Sequence, residues 1–199
     1  MKKLILLVNL VITIVLSGCS VIPMKNSISF QINDHLKRQD VVYKNNWPEC
    51  GNLTMTPDWI IKQKYITSYS RCKVSPEGYV PEKIIIEYAP WLTYEEQIKK
   101  GYGVPEELRY ADGEEAETKR LAIKAAQQEG ITKIPATAWK QIVLIPLKEV
   151  EKYKYQVPEG KGNRSRGKEI HYLISLNPDV SYSIETKLYW VQKYQQKWN

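Results

Sequence analysis

The residues best equipped for chemistry in this 199-residue chain are few: three cysteines and two histidines. Cys50 and Cys72 are close enough in sequence to close a short loop. In an oxidising compartment such a pair forms a disulfide. Closing that loop is worth about 3 kcal/mol in the chain-entropy picture. Two free buried thiols are the alternative. Neither cysteine stands in a Cys-x-x-Cys, and no histidine adjoins either, so the spacing gives no ground for a redox pair or a thiol nucleophile. His171 sits inside an alternating stretch, on the face opposite Ile170 and Tyr172. That position fits a surface histidine or one satisfied by hydrogen bonds better than a general base. His35 lies in a segment read as a solvated tether. The chain has no Gly-x-Ser-x-Gly, no His-Glu-x-x-His and no phosphate-cradling glycine loop. Glu114 and Glu115 are neighbours on a predicted helix, so they point apart and serve the helix start rather than an acid–base pair. The expectation is a non-enzymatic protein with no cofactor and no metal.

The third cysteine has a different setting. Lys2 and Lys3 form a positive start, Leu4 to Leu16 is apolar apart from Asn9 and Thr13, and Ser17-Gly18-Cys19 closes the run with small residues. This is the layout of a secretory signal, and the run is shorter than the roughly 20 residues of a membrane span. Leu16-Ser17-Gly18-Cys19 resembles the lipobox of bacterial lipoproteins. The resemblance covers only the first twenty residues. It implies diacylglycerol on the Cys19 thiol, cleavage before Cys19 and acylation of the new amino group. One acyl chain holds weakly, about 10⁴ M⁻¹, whereas two or more anchor stably. Ser20, where an aspartate would favour inner-membrane retention, implies the outer membrane and its periplasmic face. Cleavage removes Lys2 and Lys3 from a formal charge of +7 and leaves a modestly basic chain. A small surplus on an exported protein is poor support for nucleic-acid binding.

The aromatic composition is lopsided: 14 Tyr and 6 Trp against one Phe. Tyr and Trp join a large apolar face to a polar edge, which suits protein interfaces as well as a small core with wet rims. Trp91, Tyr94, Tyr102 and Tyr110 fall among Gly and Pro punctuation and form the first candidate partner-binding surface. The basic set Lys161, Arg164, Arg166 and Lys168, in a loop over 158–168, is the second.

The elements that must position these residues follow from periodicity. Residues 1–18 read as signal peptide, 19–45 as lipidated N-terminus and tether, and 46–199 as one globular domain. Ser27 to Ile32 alternates weakly, as an edge strand would. Trp59 to Tyr69 suits a strand, and Ile84-Ile85-Ile86 a strand covered on both faces. Thr93 can cap a short helix reaching Lys100, with Gln97 nearby. The principal helix is expected over 113–129. Asp112 and Glu115 act as its capping box, Leu121, Ala122, Ala125 and Ala126 as its buried stripe, and Gly130 as its stop. Trp139 to Leu147 reads as a strand demoted at Pro146. Glu169 to Asn177 and Ser181 to Tyr194 alternate about Asn177-Pro178-Asp179, which predicts a C-terminal hairpin.

The expected fold is α+β: a mainly antiparallel sheet with one principal helix and the C-terminal hairpin. A β-sandwich with a helical insertion is the alternative. In type, a single-domain lipoprotein rich in Tyr and Trp is similar to small uncharacterised lipoproteins and to immunity-type periplasmic inhibitors. The expected function is capture of a protein partner in the periplasm, in its narrowest form the neutralisation of an envelope-attacking toxin. A structural or assembly role in the cell envelope is the alternative.

Overall fold

The computed structural model describes residues 27–34, 40–47, 63–67, 69, 71–159, 167–177 and 179–191. In chain order these form β1 (Ser27–Asp34), β2 (Val41–Lys44), β3 (Tyr65–Ile66), β4 (Cys72–Lys73) and β5 (Ile84–Pro90). Three helices follow, α1 (Tyr94–Lys99), α2 (Glu106–Arg109) and α3 (Glu114–Thr132), and then a 3-10 turn over Ala136–Ala138. The chain continues through β6 (Lys140–Leu144), α4 (Pro146–Tyr153), β7 (Lys168–Leu176) and β8 (Tyr182–Trp190). No helix among the described residues is long and apolar enough to cross a membrane.

The strands form two four-stranded sheets, ordered β4-β1-β7-β8 and β3-β2-β5-β6. Every pairing is antiparallel except β1 with β7, which runs parallel from Ser27 opposite Glu169 to Asp34 opposite Leu176. Alternation explains how the sheets share a core. Ile28, Phe30 and Ile32 of β1 and Ile170, Tyr172 and Ile174 of β7 join one buried cluster with Ile84, Ile86 and Tyr88 of β5 and Ile142 and Leu144 of β6. Each large side chain buried there is worth about 1.5–3 kcal/mol. The fold is therefore α+β with the expected hairpin, and its antiparallel strands are divided between two sheets. The helical insertion, α1 to α3, lies between β5 and β6 in sequence. A second cluster gathers Val42, Tyr65, Ala89, Trp91 and Ile131, so α3 covers the face of β2 and β5 turned away from the first core.

Several tyrosines reach from these cores to backbone carbonyls. The hydroxyls of Tyr69, Tyr88 and Tyr153 donate to Lys44, Val180 and Thr186 at 2.9, 3.0 and 3.1 Å. Burial pushes the Tyr69 hydroxyl up to about 12. The tyrosine excess thus serves partly as polar pins through an apolar core.

The structure corrects several expectations. Within the stretch read as tether, the alternating Ser27 to Ile32 is strand as expected and runs on to Asp34, and Val41 to Lys44 is a further strand. β1 is an internal strand between β4 and β7, not an edge. On β5 the Ile84–Ile86 run is not covered on both faces, because Ile85 is only half-buried. Of the strand expected over 59–69, Tyr65–Ile66 is strand, while residues 59–62 and 68 lie outside the described residues. Helix α3 has Gly113, at φ 100°, as its N-cap, with no side-chain cap, so Asp112 does not close a capping box. The helix runs through Gly130 to Thr132. Most of its expected stripe faces outward: Leu121 is 45% exposed, Ala122 and Ala125 are exposed, and Ala126 is half-buried. Strand β6 stops at Leu144, and Pro146 opens α4, where its fixed φ and missing N–H fit the first turn. Lys168 is the first residue of β7 rather than part of a loop.

Candidate functional site

The candidate residues separate once placed. Cys72 is fully buried and disulfide-bonded. Cys19, Cys50, His35, Lys161, Arg164 and Arg166 lie outside the described residues. The Lys168 ammonium donates to the carbonyls of Tyr153, Lys154 and Gln156, which gather at the end of α4. It is a positioned capping group rather than a free basic hand.

The aromatic set divides into floor and surface. Trp91 is 7% exposed and stacks on Tyr102 with centroids 6.0 Å apart and planes 25° from parallel. Tyr94 stands on α1 with its hydroxyl donating to Val104 O at 2.9 Å and the Arg109 guanidinium 5.6 Å over its ring. Tyr110 follows α2 and is 76% exposed. Trp91 is thus a core residue of the second cluster, not an exposed contact.

The Trp91–Tyr102 stack lines a groove of about 500 Å³. One wall is the end of β5 with Pro90 and Leu92; another is α1 and its exit, with Glu96 and Lys100. The end of α3 and the segment after it close the third side with Gly130, Lys133, Ile134, Pro135 and Ala138. The groove is open to solvent, and its mostly apolar lining with a few polar groups at the rim is a surface on which an apolar side chain can rest.

Local chemistry holds the walls in place. Thr93 caps α1 by accepting from Glu96 N–H, while the Glu96 carboxylate accepts from Thr93 N–H at 2.9 Å, a complete capping box. The buried Gln97 joins four segments. Its Nε2 donates to the Asp40 carboxylate at 2.6 Å and to Leu92 O at 2.9 Å, and its Oε1 accepts from Gln127 of α3 at 3.3 Å. Its backbone carbonyl accepts from Tyr102 and Gly103. On α3, Gln128 accepts from Tyr65 N–H at 3.0 Å and donates to Tyr65 O at 2.9 Å. The helix therefore docks through two glutamines and the buried Ile131 rather than through Leu121, Ala122 and Ala125. Gly130 lets it approach closely: a Cβ there would lie 2.8 Å from the Tyr102 ring. The sequence placed Gln97 only in the short helix and Gly130 only as a helix stop, and it did not single out Lys100 or Lys133 as site residues. The available signals were a glutamine on the first turn after a Thr cap, and a glycine followed by further helix-compatible residues.

A second stack lies on the same layer. Tyr65 and Trp139 pack at 5.6 Å and 27°, with Lys44 Nζ 5.1 Å over the indole. The Trp91 Nε1–H is buried and has no hydrogen-bond partner among the described residues.

The other concentration of chemistry-bearing side chains is on the face of β1 and β7 turned away from the shared core. Ser29, Glu169 and His171 are all buried there. The Ser29 hydroxyl donates to Glu169 and lies 2.6 Å from His171 Nδ1. Its single proton faces the carboxylate, so it accepts from Nδ1–H. Arg71 reaches the same carboxylate at 3.2 Å. Burial, and then the Arg71 charge, hold the His171 imidazole below its ordinary value. The carboxylate engages the hydroxyl rather than the imidazole, unlike the order that activates a serine nucleophile. His171 is thus a buried histidine whose Nδ1 is held by Ser29. Among the described residues no group of three His, Cys, Asp or Glu side chains is placed to hold a metal.

No family model, curated protein or solved structure matches this chain.

Proposed function

We propose that this chain is a non-enzymatic lipoprotein, anchored through Cys19 to the periplasmic face of the outer membrane, that captures a protein partner in its aromatic groove. The observation that carries the reading is the groove: a stacked Trp91–Tyr102 floor, about 500 Å³ of space and a polar rim. Aromatic anchors in a preformed pocket are what protein interfaces use to concentrate binding energy. The buried Ser29–Glu169–His171 set, tied up in internal hydrogen bonds, supports a binding role over a hydrolytic one. In the same reading Cys72 pairs with Cys50, and the narrowest form of the function is inhibition of an envelope-attacking toxin.

The test uses the full chain in cells, with a photo-crosslinking residue in place of Pro135 at the groove or of Leu121 on the exposed face of α3. The reading expects one stoichiometric partner from the groove position and none from the other. Equal crosslinking from both would sink it. In parallel, Cys19→Ala should abolish acyl labelling; labelling that survives would remove the anchor.

A further inference from the structure

We propose that the groove takes an acidic protein segment, with an apolar side chain seated on the Trp91–Tyr102 stack and a neighbouring carboxylate held between Lys100 and Lys133. The inference rests on the groove being the docking site, and it adds the chemistry of what docks.

The argument is one of charge placed around an apolar seat. Trp91, Leu92, Tyr102 and Ile134 make the lining apolar, and three charged residues stand with them: Glu96, Lys100 and Lys133. The Glu96 carboxylate already accepts the Thr93 N–H of its capping box. The last carbonyls of α3 are engaged too, since Gly130 O accepts Lys133 N–H and Ile131 O accepts Ile134 N–H, both at 3.1 Å. The ammonium groups are less committed. Lys100 forms no ion pair among the described residues. Lys133 pairs with Glu129 at 3.3 Å, but both side chains are largely exposed, at 66% and 75%. Such a surface pair is worth little and exchanges easily for a better-placed anion.

Lys100 and Lys133 come from different walls, the exits of α1 and α3. A carboxylate between them would meet two positive charges beside low-dielectric aromatic surface, where attraction is stronger than in bulk water. The stack below supplies a flat anchor, and Gly130 keeps that anchor in place against the helix.

The experiment selects random displayed peptides on the full acylated chain in detergent micelles. It then measures the selected peptides by fluorescence anisotropy at about 0.15 M salt, where the Debye length is about 8 Å. The variants are Lys100→Glu with Lys133→Glu, and a control of equal charge change at exposed Lys83→Glu with Lys148→Glu. Circular dichroism establishes that each is folded. The proposal expects peptides with an aromatic or large aliphatic residue beside Asp or Glu, weakened about tenfold or more by the groove reversal and unchanged by the control. Peptides that lose affinity in Tyr102→Leu but are neutral or basic, or ignore the reversal, would overturn the acidic chemistry while leaving the groove as docking site. Peptides indifferent to both Tyr102→Leu and the reversal would overturn both. Failure to select any peptide, with Lys100- and Lys133-dependent binding to vesicles of anionic lipid instead, would overturn it in favour of a lipid surface.

Discussion

Two regions of this molecule gather side chains capable of chemistry, and they treat them in opposite ways. On the outward face of β1 and β7, Ser29, Glu169 and His171 are closed into mutual hydrogen bonds, each less than a tenth exposed. At the ends of β5, α1 and α3, Trp91 and Tyr102 are nearly as constrained but line open space with charged groups at its rim. The first has the residue types of a hydrolase, but its hydroxyl is held by both of its neighbours and is buried. The second has no reactive residue and a shaped vacancy. Access and unmet interaction distinguish a site from a satisfied core, and residue type does not.

The strongest way to break the comparison is to remove the groove floor. Trp91→Ala deletes a buried indole from the second cluster, and a buried Trp→Ala change costs about 3–5 kcal/mol. Chemical denaturation should show that loss, and crosslinking from position 135 in the groove should vanish. A loss under about 1 kcal/mol would mean the stack is a surface ornament and the region no more built than its surroundings.

Next in size, Gly130→Ala and Ser29→Ala probe one region each. The added Cβ would lie 2.8 Å from two Tyr102 ring carbons, so the ring must shift; overpacking of this kind costs about 1–3 kcal/mol. Partner capture should fall with it, and near-ultraviolet dichroism of the aromatic stack should change. Ser29→Ala takes away the hydroxyl that meets both Glu169 and His171, and leaving buried polar groups unpaired costs about 1–3 kcal/mol. Here stability should drop while capture by the folded protein stays intact. Loss of capture in folded Ser29→Ala would show that the two regions are coupled and end the contrast.

The sequence carried the features set by periodicity and lost those set by contacts between distant segments. Ile170, Tyr172, Ile174 and Leu176 declare their strand by alternation, and all four are buried as that pattern requires. Thr93 declares its helix by capping chemistry, confirmed by the reciprocal bond with Glu96. Ser27 to Asp34 misled because Ser-Ile-Ser-Phe-Gln-Ile has the polar half of an edge strand. Its serines are instead buried, and Ser29 meets Glu169 and His171, some 140 residues away in sequence. In α3 the local rule favoured Leu121 and the alanines as the buried stripe. Docking is set instead by the buried Ile131 and by Gln127 and Gln128, whose partners Gln97 and Tyr65 no local window contains. Within the site, Trp91 and Tyr102 could be named from type and loop setting, but their stacking could not. It depends on a glycine whose role is the absence of a Cβ.

The smallest effect separates the regions by pH. Buried between Arg71, Glu169 and Lys187 and near the Tyr189 ring at 6.2 Å, the His171 imidazole has its pKa lowered in the folded chain. In the unfolded chain it takes a proton at about 6.5. Between those two values the unfolded state binds more protons, so stability rises with pH there and levels off above about 6.5. On acidification from neutrality, the His171 contribution is lost as pH falls through the folded pKa, at no more than about 1.4 kcal/mol per pH unit for one proton. Denaturation midpoints at a series of pH values from neutral to about 5 should slope in that sense for the native chain, and the slope should flatten in His171→Gln. Peptide affinity at the groove should show no break at the imidazole's titration, because no histidine lines it. A stability slope identical in native and His171→Gln chains would place the proton elsewhere. The polar cluster of β1 and β7 would then be a passive buried patch rather than the pH-sensitive half of the pair.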